Sequence, residues 1–270
     1  LVVMGIALLL FVQDGTRLPF LSTADGFNFR ATNFLVAVWV VVFSIPMFLF
    51  VKETQPKTAR VDIAGAFREL RRTFAEVKRY REIVKFLLAR LIYNDGLVTV
   101  FIFGAIYAQA TFGFGPGEVL IFGIVLNVVA GLGALGFGFV DDKLGGKNTL
   151  LITLVGLIVA TAIAVAAPNK TWFWAAGVLI GIFVGPNQSA SRSLMGRFVP
   201  RKHRGEFFGF FAFSGKVTSF MGPMILGALV VPFGMRVAVA SLIVFFLAGA
   251  LILMTVDEES GIEAARAADA

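Results

Sequence analysis

Two charged side chains stand inside otherwise apolar runs, Asp95 in RLIYNDG and Lys216 in FSGKVTSF. A carboxylate in such surroundings can accept and release a proton or hold a solute's cationic group, and a nearby amine can modulate it. Ionisable groups surrounded by lipid are expensive, so each needs a partner, a wet cavity or a function. Counted along helices from the nearest basic loop, Asp95 lies ~18 Å in and Lys216 ~15 Å in. Opposite charges at matching height are expected to pair, directly or through water. Asn94, Asn127, Asn187 and Gln188 fall at comparable heights in three separate runs. Polar groups converging at mid-depth suit a substrate or ion site between helices; the plainer alternative is that the asparagines only glue helices together. Arg90, ~10 Å in, is expected to snorkel toward the headgroups. Tyr93 is left open between lipid and the polar cluster.

Other chemistry has little to work with. The chain has no Cys and one His, His203, in a basic loop. Disulfides, thiolate metal sites and a His-dependent triad elsewhere are thereby excluded. GLGALG at 131–136 fits a phosphate-binding glycine pattern only through helix packing. No enzyme activity, cofactor or metal is expected.

The elements that must position these residues are membrane helices. Of the 270 residues, 58% are hydrophobic and 15% charged, against about 25% charged in soluble domains. The formal net charge of +7 raises the question of nucleic acid. The basic residues sit in loops between apolar runs, however, and no soluble basic domain is left to grip phosphates. Apolar runs occur at 1–13, 33–51, 83–110, 118–140, 149–167, 172–193, 206–231 and 235–256. The first would reach only ~20 Å, short of the ~30 Å hydrocarbon core. With Leu1 as first residue and no signal-peptide pattern, the chain reads as a fragment whose natural N-terminus is missing.

The region 52–85 is dense in Lys and Arg and sets the orientation. Short loops of this kind stay cytoplasmic. Within it Ile63, Phe67, Leu70, Phe74 and Val77 share one helix face, so a basic amphipathic helix is expected along the inner leaflet. With this stretch inside, the loops at 141–147 and 194–204 fall inside too, as do both ends of the chain. Only Arg17, Arg30, Lys170 and Arg236 fall outside, and Arg90 and Lys216 lie within spans. Gly123, Gly131, Ala134 and Gly138 form a small-residue face on the fourth span, and Gly181 and Gly185 a GxxxG on the sixth; both read as packing faces.

At GFVDDKLGGK the chain resembles the signature loop of the major facilitator superfamily, with Gly138, Asp142, Lys143, Gly145 and Lys147 in the matching positions. Gly145 permits a tight turn, and Asp142 can cap a helix or pair with a base. The family often has Arg where Gly146 stands. RLIYNDG, GPNQSASRSLMGRFVP and EFFGFFAFSGKVTSFMGP resemble the vacuole-effluxer group of that superfamily, whose eukaryotic members include a vacuolar amino-acid exporter. The resemblance implies an all-α polytopic bundle with two six-helix halves. It makes 1–51 the last two helices of a truncated first half lacking four, and 52–82 the cytoplasmic linker. Residues 83–256 become the second half and 257–270 a disordered cytoplasmic tail. It also implies a permease moving a small polar solute, with amino acids and protons as candidates, by alternating access in the inner (plasma) membrane. Its partners are the lipid bilayer and the solute, and the signature Asp locks cytoplasmic helix ends together. The rival expectation is a non-transporting scaffold or sensor that binds lipid or a partner through the amphipathic helix.

Overall fold

A computed structural model describes residues 2–12, 27–51 and 80–269, and every regular element among them is helical. The amphipathic helix expected at 63–77, with most of the linker, lies outside the described residues. Among the described residues, five helices are long and apolar enough to cross a membrane: Arg30–Phe50, Arg81–Phe112, Pro116–Leu144, Gly146–Ala166 and Met221–Met254. Helices apolar on all sides are at home in a bilayer rather than at a water surface. Phe48, Leu132, Phe139 and Val231 accordingly stand exposed. The chain is a multi-pass membrane protein.

The chain divides into two compact units, one of Leu1–Phe67 with Gly115–Ile124, the other of Arg68–Phe114 with Val125–Ala270. In the first unit, α1 (Val2–Ala7) runs into a π-turn at Leu8–Val12, and α2 (Phe27–Phe50) carries Pro46 in its interior. Trp39 and Phe43 stack along α2 at 4.3 Å.

The second unit holds α3 (Arg81–Phe112), most of α4 (Pro116–Leu144), α5 (Gly146–Ala166), α6 (Lys170–Phe198), α7 (Arg204–Ser214), α8 (Met221–Met254) and α9 (Glu258–Asp269). Helix ends follow local chemistry. Gly113, at φ 66°, closes α3 by donating its N–H to Gln109, a left-handed cap that glycine adopts freely. Pro116 opens α4, where its missing N–H loses nothing. Asn169 Oδ1 accepts the Trp172 N–H at 3.1 Å at the start of α6. Basic side chains close other helices at their carbonyl ends, where the dipole is negative. Arg236 donates to Val165 and Ala167 oxygens at the end of α5, while Lys85 and Lys147 donate to Thr255 and Met254 oxygens at the end of α8.

A straight 34-residue α8 would be ~51 Å long. Instead Gly222 packs beside Asp95 and Thr99, and Gly249 beside Tyr93, nearly the same height on α3. The chain folds back at Gly234, whose φ of 81° and ψ of 168° are non-helical. This is the boundary expected between the seventh and eighth spans. The first arm, 221–233, continues the direction of α7, and the second, 235–254, returns.

Two expectations need correcting. The tail is not disordered: Glu258–Asp269 is a helix. Asp257 caps it, and hydrogen bonds from Ser260, the backbone N–H first, hold the Asp257 carboxyl below the usual carboxylate range. The helix is docked by Gly261 beneath Phe198 and by Asp269 on the Arg201 N–H at 2.8 Å. On the fourth span, a Cβ at Gly131 or Gly138 would meet nothing within 4 Å among the described residues, so these two glycines do not make the packing face. Gly133 and Ala130 form the seam instead, against Ile182 and the GxxxG glycine Gly185.

Candidate functional site

The seventh span is not one helix. α7 ends at Ser214, turns occupy 215–220, and α8 begins at Met221. A break strands carbonyls at the end of the first segment and N–H groups at the start of the second. At membrane depth no bulk water can satisfy them, so protein must.

Helix α3 supplies the partners. Arg90 Nη1 donates to Phe211 O at 2.7 Å and Ser214 Oγ at 3.0 Å, with its guanidinium 3.7 Å over the Phe211 ring. Asn94 Nδ2 donates to Gly215 O at 2.9 Å. In the other direction, Thr218 Oγ1 donates to Leu91 O at 3.0 Å. Asp95 Oδ2 accepts the Gly222 N–H at 2.7 Å. The signs fit: a cation meets the negative carbonyl end of α7 and an anion the positive N–H end of α8. Glycine is needed at 222, since a Cβ there would collide with Thr99 Oγ1. Asp95 is 2% exposed, and its Oδ1 has no hydrogen-bond partner among the described residues.

The expected Asp95–Lys216 ion pair does not form. Lys216 is exposed, and no ion pair among the described residues includes either group. Each has another setting: Asp95 is matched by a helix end, and Lys216 projects outward from the break. Arg90 likewise does not snorkel, because its guanidinium closes α7. Tyr93 faces the interior, its hydroxyl 2.8 Å from Ser191 Oγ.

Of the remaining mid-depth residues, Asn187 and Asn94 have separate partners. Asn187 is fully buried and donates from Nδ2 to Thr153 Oγ1 at 2.9 Å, which ties α6 to α5. Asn94 belongs to the break. Asn127 and Gln188 are exposed.

A second charged cluster sits at the signature loop. Gly145, at φ 84°, makes the expected tight turn. Asp142, Lys143 and Gly138 are exposed, however, and it is Asp141 that turns inward. Asp141 Oδ2 accepts from Arg197 Nη2 at 2.8 Å and from Ser193 Oγ at 2.8 Å. Arg197 Nη1 reaches Glu258 at 3.2 Å. Glu258 accepts the backbone N–H groups of Gly146 at 3.0 Å and Lys147 at 2.8 Å, so it caps α5. The loop, α6 and α9 thus meet through Asp141, Arg197 and Glu258, none of which the sequence reading had singled out. The acid directly before the signature Asp, and the first acids after the last span, are the signals that point to them. Beside this network a cavity of about 650 Å³ is lined in part by Lys143, Lys147, Asn148, Asp257 and Glu259.

Comparison with known proteins matches residues 1–266 to the family described as vacuole effluxer Atg22 like. The uncharacterized MFS-type transporter YxiO of Bacillus subtilis (strain 168) is 31% identical over 261 residues, covering 96% of this chain and 60% of that protein. Autophagy-related protein 22-1 of Penicillium rubens is 25% identical over 262 residues, 87% of this chain and 44% of the relative. Its counterpart in Aspergillus niger is 25% identical over 260 residues, 87% of this chain and 42% of the relative. The chain therefore spans 60% of the first relative's length and under half of the other two.

Proposed function

The chain belongs to the vacuole effluxer Atg22 like family, and from that premise we propose that it is part of a permease moving a small polar solute by alternating access. Amino acids are the solute class this reading favours first, by analogy with the effluxer group. Residues 83–256 act as the second six-helix half, 1–51 as the end of the first, and 52–82 as a cytoplasmic linker. The basic stretch faces the cytoplasm of a plasma membrane.

The observation that carries this reading is the interrupted seventh span. A continuous helix is the simplest way to cross lipid; an interrupted one survives only where protein or a cavity shields its backbone. Discontinuous helices of this kind build substrate sites in transporters. Here Asp95 is the proposed proton carrier. Its Oδ1 is free to take a proton while Oδ2 still faces the Gly222 N–H, and neutralisation would weaken the attraction that holds the start of α8. Asp141, Arg197 and Glu258 are the proposed lock on the cytoplasmic helix ends. Contacts between neighbouring elements at that level make and break as the halves rock.

A counterflow screen of labelled solutes, run on the complete protein in liposomes with Asp95→Asn as control, tests the reading. Exchange of at least one solute above empty liposomes is expected. Its pH response should be lost in Asp95→Asn; a fully active, pH-responsive variant removes the proton role.

A further inference from the structure

The two arms of α8 are fastened very differently. Along the second arm, 235–254, buried residues recur from Ala238 to Leu253. Gly249 lies beside Tyr93 there, Phe245 and Phe246 lie beside Gly96, and Arg236 ties the start to the end of α5. In the first arm, 221–233, only Gly222 and Leu226 are buried, and nothing from Gly227 onward is. Among the described residues, one side-chain hydrogen bond reaches this arm, from the Gly222 N–H to Asp95 Oδ2. The backbone leaves the helix at both of its ends, in the turns at 215–220 and at Gly234, with φ 81°. Glycine takes a positive φ freely, and hinges are short segments at element ends that absorb such changes. The inner part of the break is fixed to α3, by Asn94 on Gly215 O and by Thr218 on Leu91 O. Phe220 and Met221, between Thr218 and Gly222, are exposed. Freedom to pivot is thereby confined to the few residues before Gly222 and to Gly234.

We propose that 221–233 is an arm hinged at 219–221 and at Gly234, latched to α3 by the Asp95–Gly222 hydrogen bond, and that its swing opens this half on the side away from the basic stretch. Helix α3, the inner part of the break and the second arm stay together as the frame. This rests on the transport reading and deepens it, by naming the part that moves when Asp95 is neutralised. Once the latch is released, Leu226 is the one buried side chain that the arm withdraws. The arm is ~20 Å long, so a tilt of ~15° carries its tip ~5 Å.

Spin labels read the swing without turnover. The chain contains no cysteine, so the complete protein, with any cysteines outside this chain changed to serine, is labelled at Val231→Cys near the arm's tip and at Val159→Cys on α5. A second pair, Val244→Cys with Val159→Cys, reports on the second arm; all three positions are exposed. Double electron–electron resonance in nanodiscs compares each pair with and without Asp95→Ala. The substitution should add a second Val231–Val159 distance, displaced by about 5 Å or more, and leave the Val244–Val159 distance as it was. Gly222→Ala, which crowds the latch from the other side, should do the same, and it decides by the same criterion if Asp95→Ala does not fold. An unchanged Val231 pair, or equal shifts in both pairs, overturns the proposal.

A crosslink asks whether transport needs the swing. A Cβ at Gly222 would lie 3.1 Å from that of Thr99, and a Cβ at Gly96 would lie 3.1 Å from that of Phe245; both are close to disulfide spacing. Oxidising Thr99→Cys with Gly222→Cys should slow counterflow by about tenfold or more, reversed by a reductant, because it pins the moving arm. Gly96→Cys with Phe245→Cys joins α3 to the second arm and should change exchange by less than about twofold. Equal effects of the two crosslinks, or no effect of the first, overturn the part given to the arm in transport. If no solute exchanges at all, the spin labels still answer, so failure of the transport reading and failure of the hinged arm remain distinguishable.

Discussion

The break in the seventh span and the network at the signature loop both hold charges, but they satisfy them by opposite means. At the break, Arg90 and Asp95 are matched to backbone: one to the carbonyl end of α7, the other to the N–H end of α8. At the loop, Asp141, Arg197 and Glu258 are matched chiefly to one another. Depth explains the difference. Within the hydrocarbon, stranded peptide groups must be answered locally, and a charge that answers them is itself stabilised. Near the headgroups water shares the load, so charges can pair and part at modest cost. The first arrangement suits a framework that yields only when Asp95 is neutralised, as proposed, and the second a contact that parts readily.

The contrast is broken most forcefully at Asp95. Asp95→Ala leaves the buried Gly222 N–H without an acceptor and removes a charge from a helix start, a loss of about 3 kcal/mol. Asp95→Asn keeps an acceptor and should lose about half as much. Thermal unfolding in detergent, both variants against wild type, reads the order. Next comes Gly222→Ala, where overpacking against Thr99 should destabilise by about 1–3 kcal/mol. Thr99→Ala in the same chain should recover part of it, and the double-variant cycle measures the coupling.

Much of this was legible in the residues, because height along a helix can be counted. The long apolar helices, the turn at Gly113–Pro116, the reversal near Gly234 and the place of Asp95 midway along α3 all followed from where apolar runs begin and end. Azimuth was not legible. Successive residues on a helix differ by about 100°, so Asp141 and Asp142 could exchange roles with no change in pattern, and only the neighbouring α6 decides. Lys216 and Asp95 share a height and still do not meet, for the same reason. The break itself left little trace: GKVTSF contains one glycine and no proline, and its cause lies in α3, some 120 residues earlier, where Arg90, Asn94 and Asp95 wait for the freed backbone groups.

Smaller effects sharpen the comparison from the other side. Arg197 is 31% exposed, so Arg197→Gln should cost only about 1 kcal/mol after screening, and less in high salt. Its larger consequence is expected in how often the cytoplasmic side opens, read as accessibility of a cysteine placed at Ser193. Lys216→Gln should change unfolding by under about 0.5 kcal/mol, as exposed substitutions do.

The claim that α3 holds the broken span together through its charges is tested most directly by amide hydrogen exchange of the peptide spanning Gly222, in nanodiscs, for wild type and Asp95→Ala. Strong protection in wild type should fall by about tenfold or more in the variant, the equivalent of about 1.4 kcal/mol, while peptides from α5 exchange as before. Equal protection at Gly222 in both proteins would contradict the account.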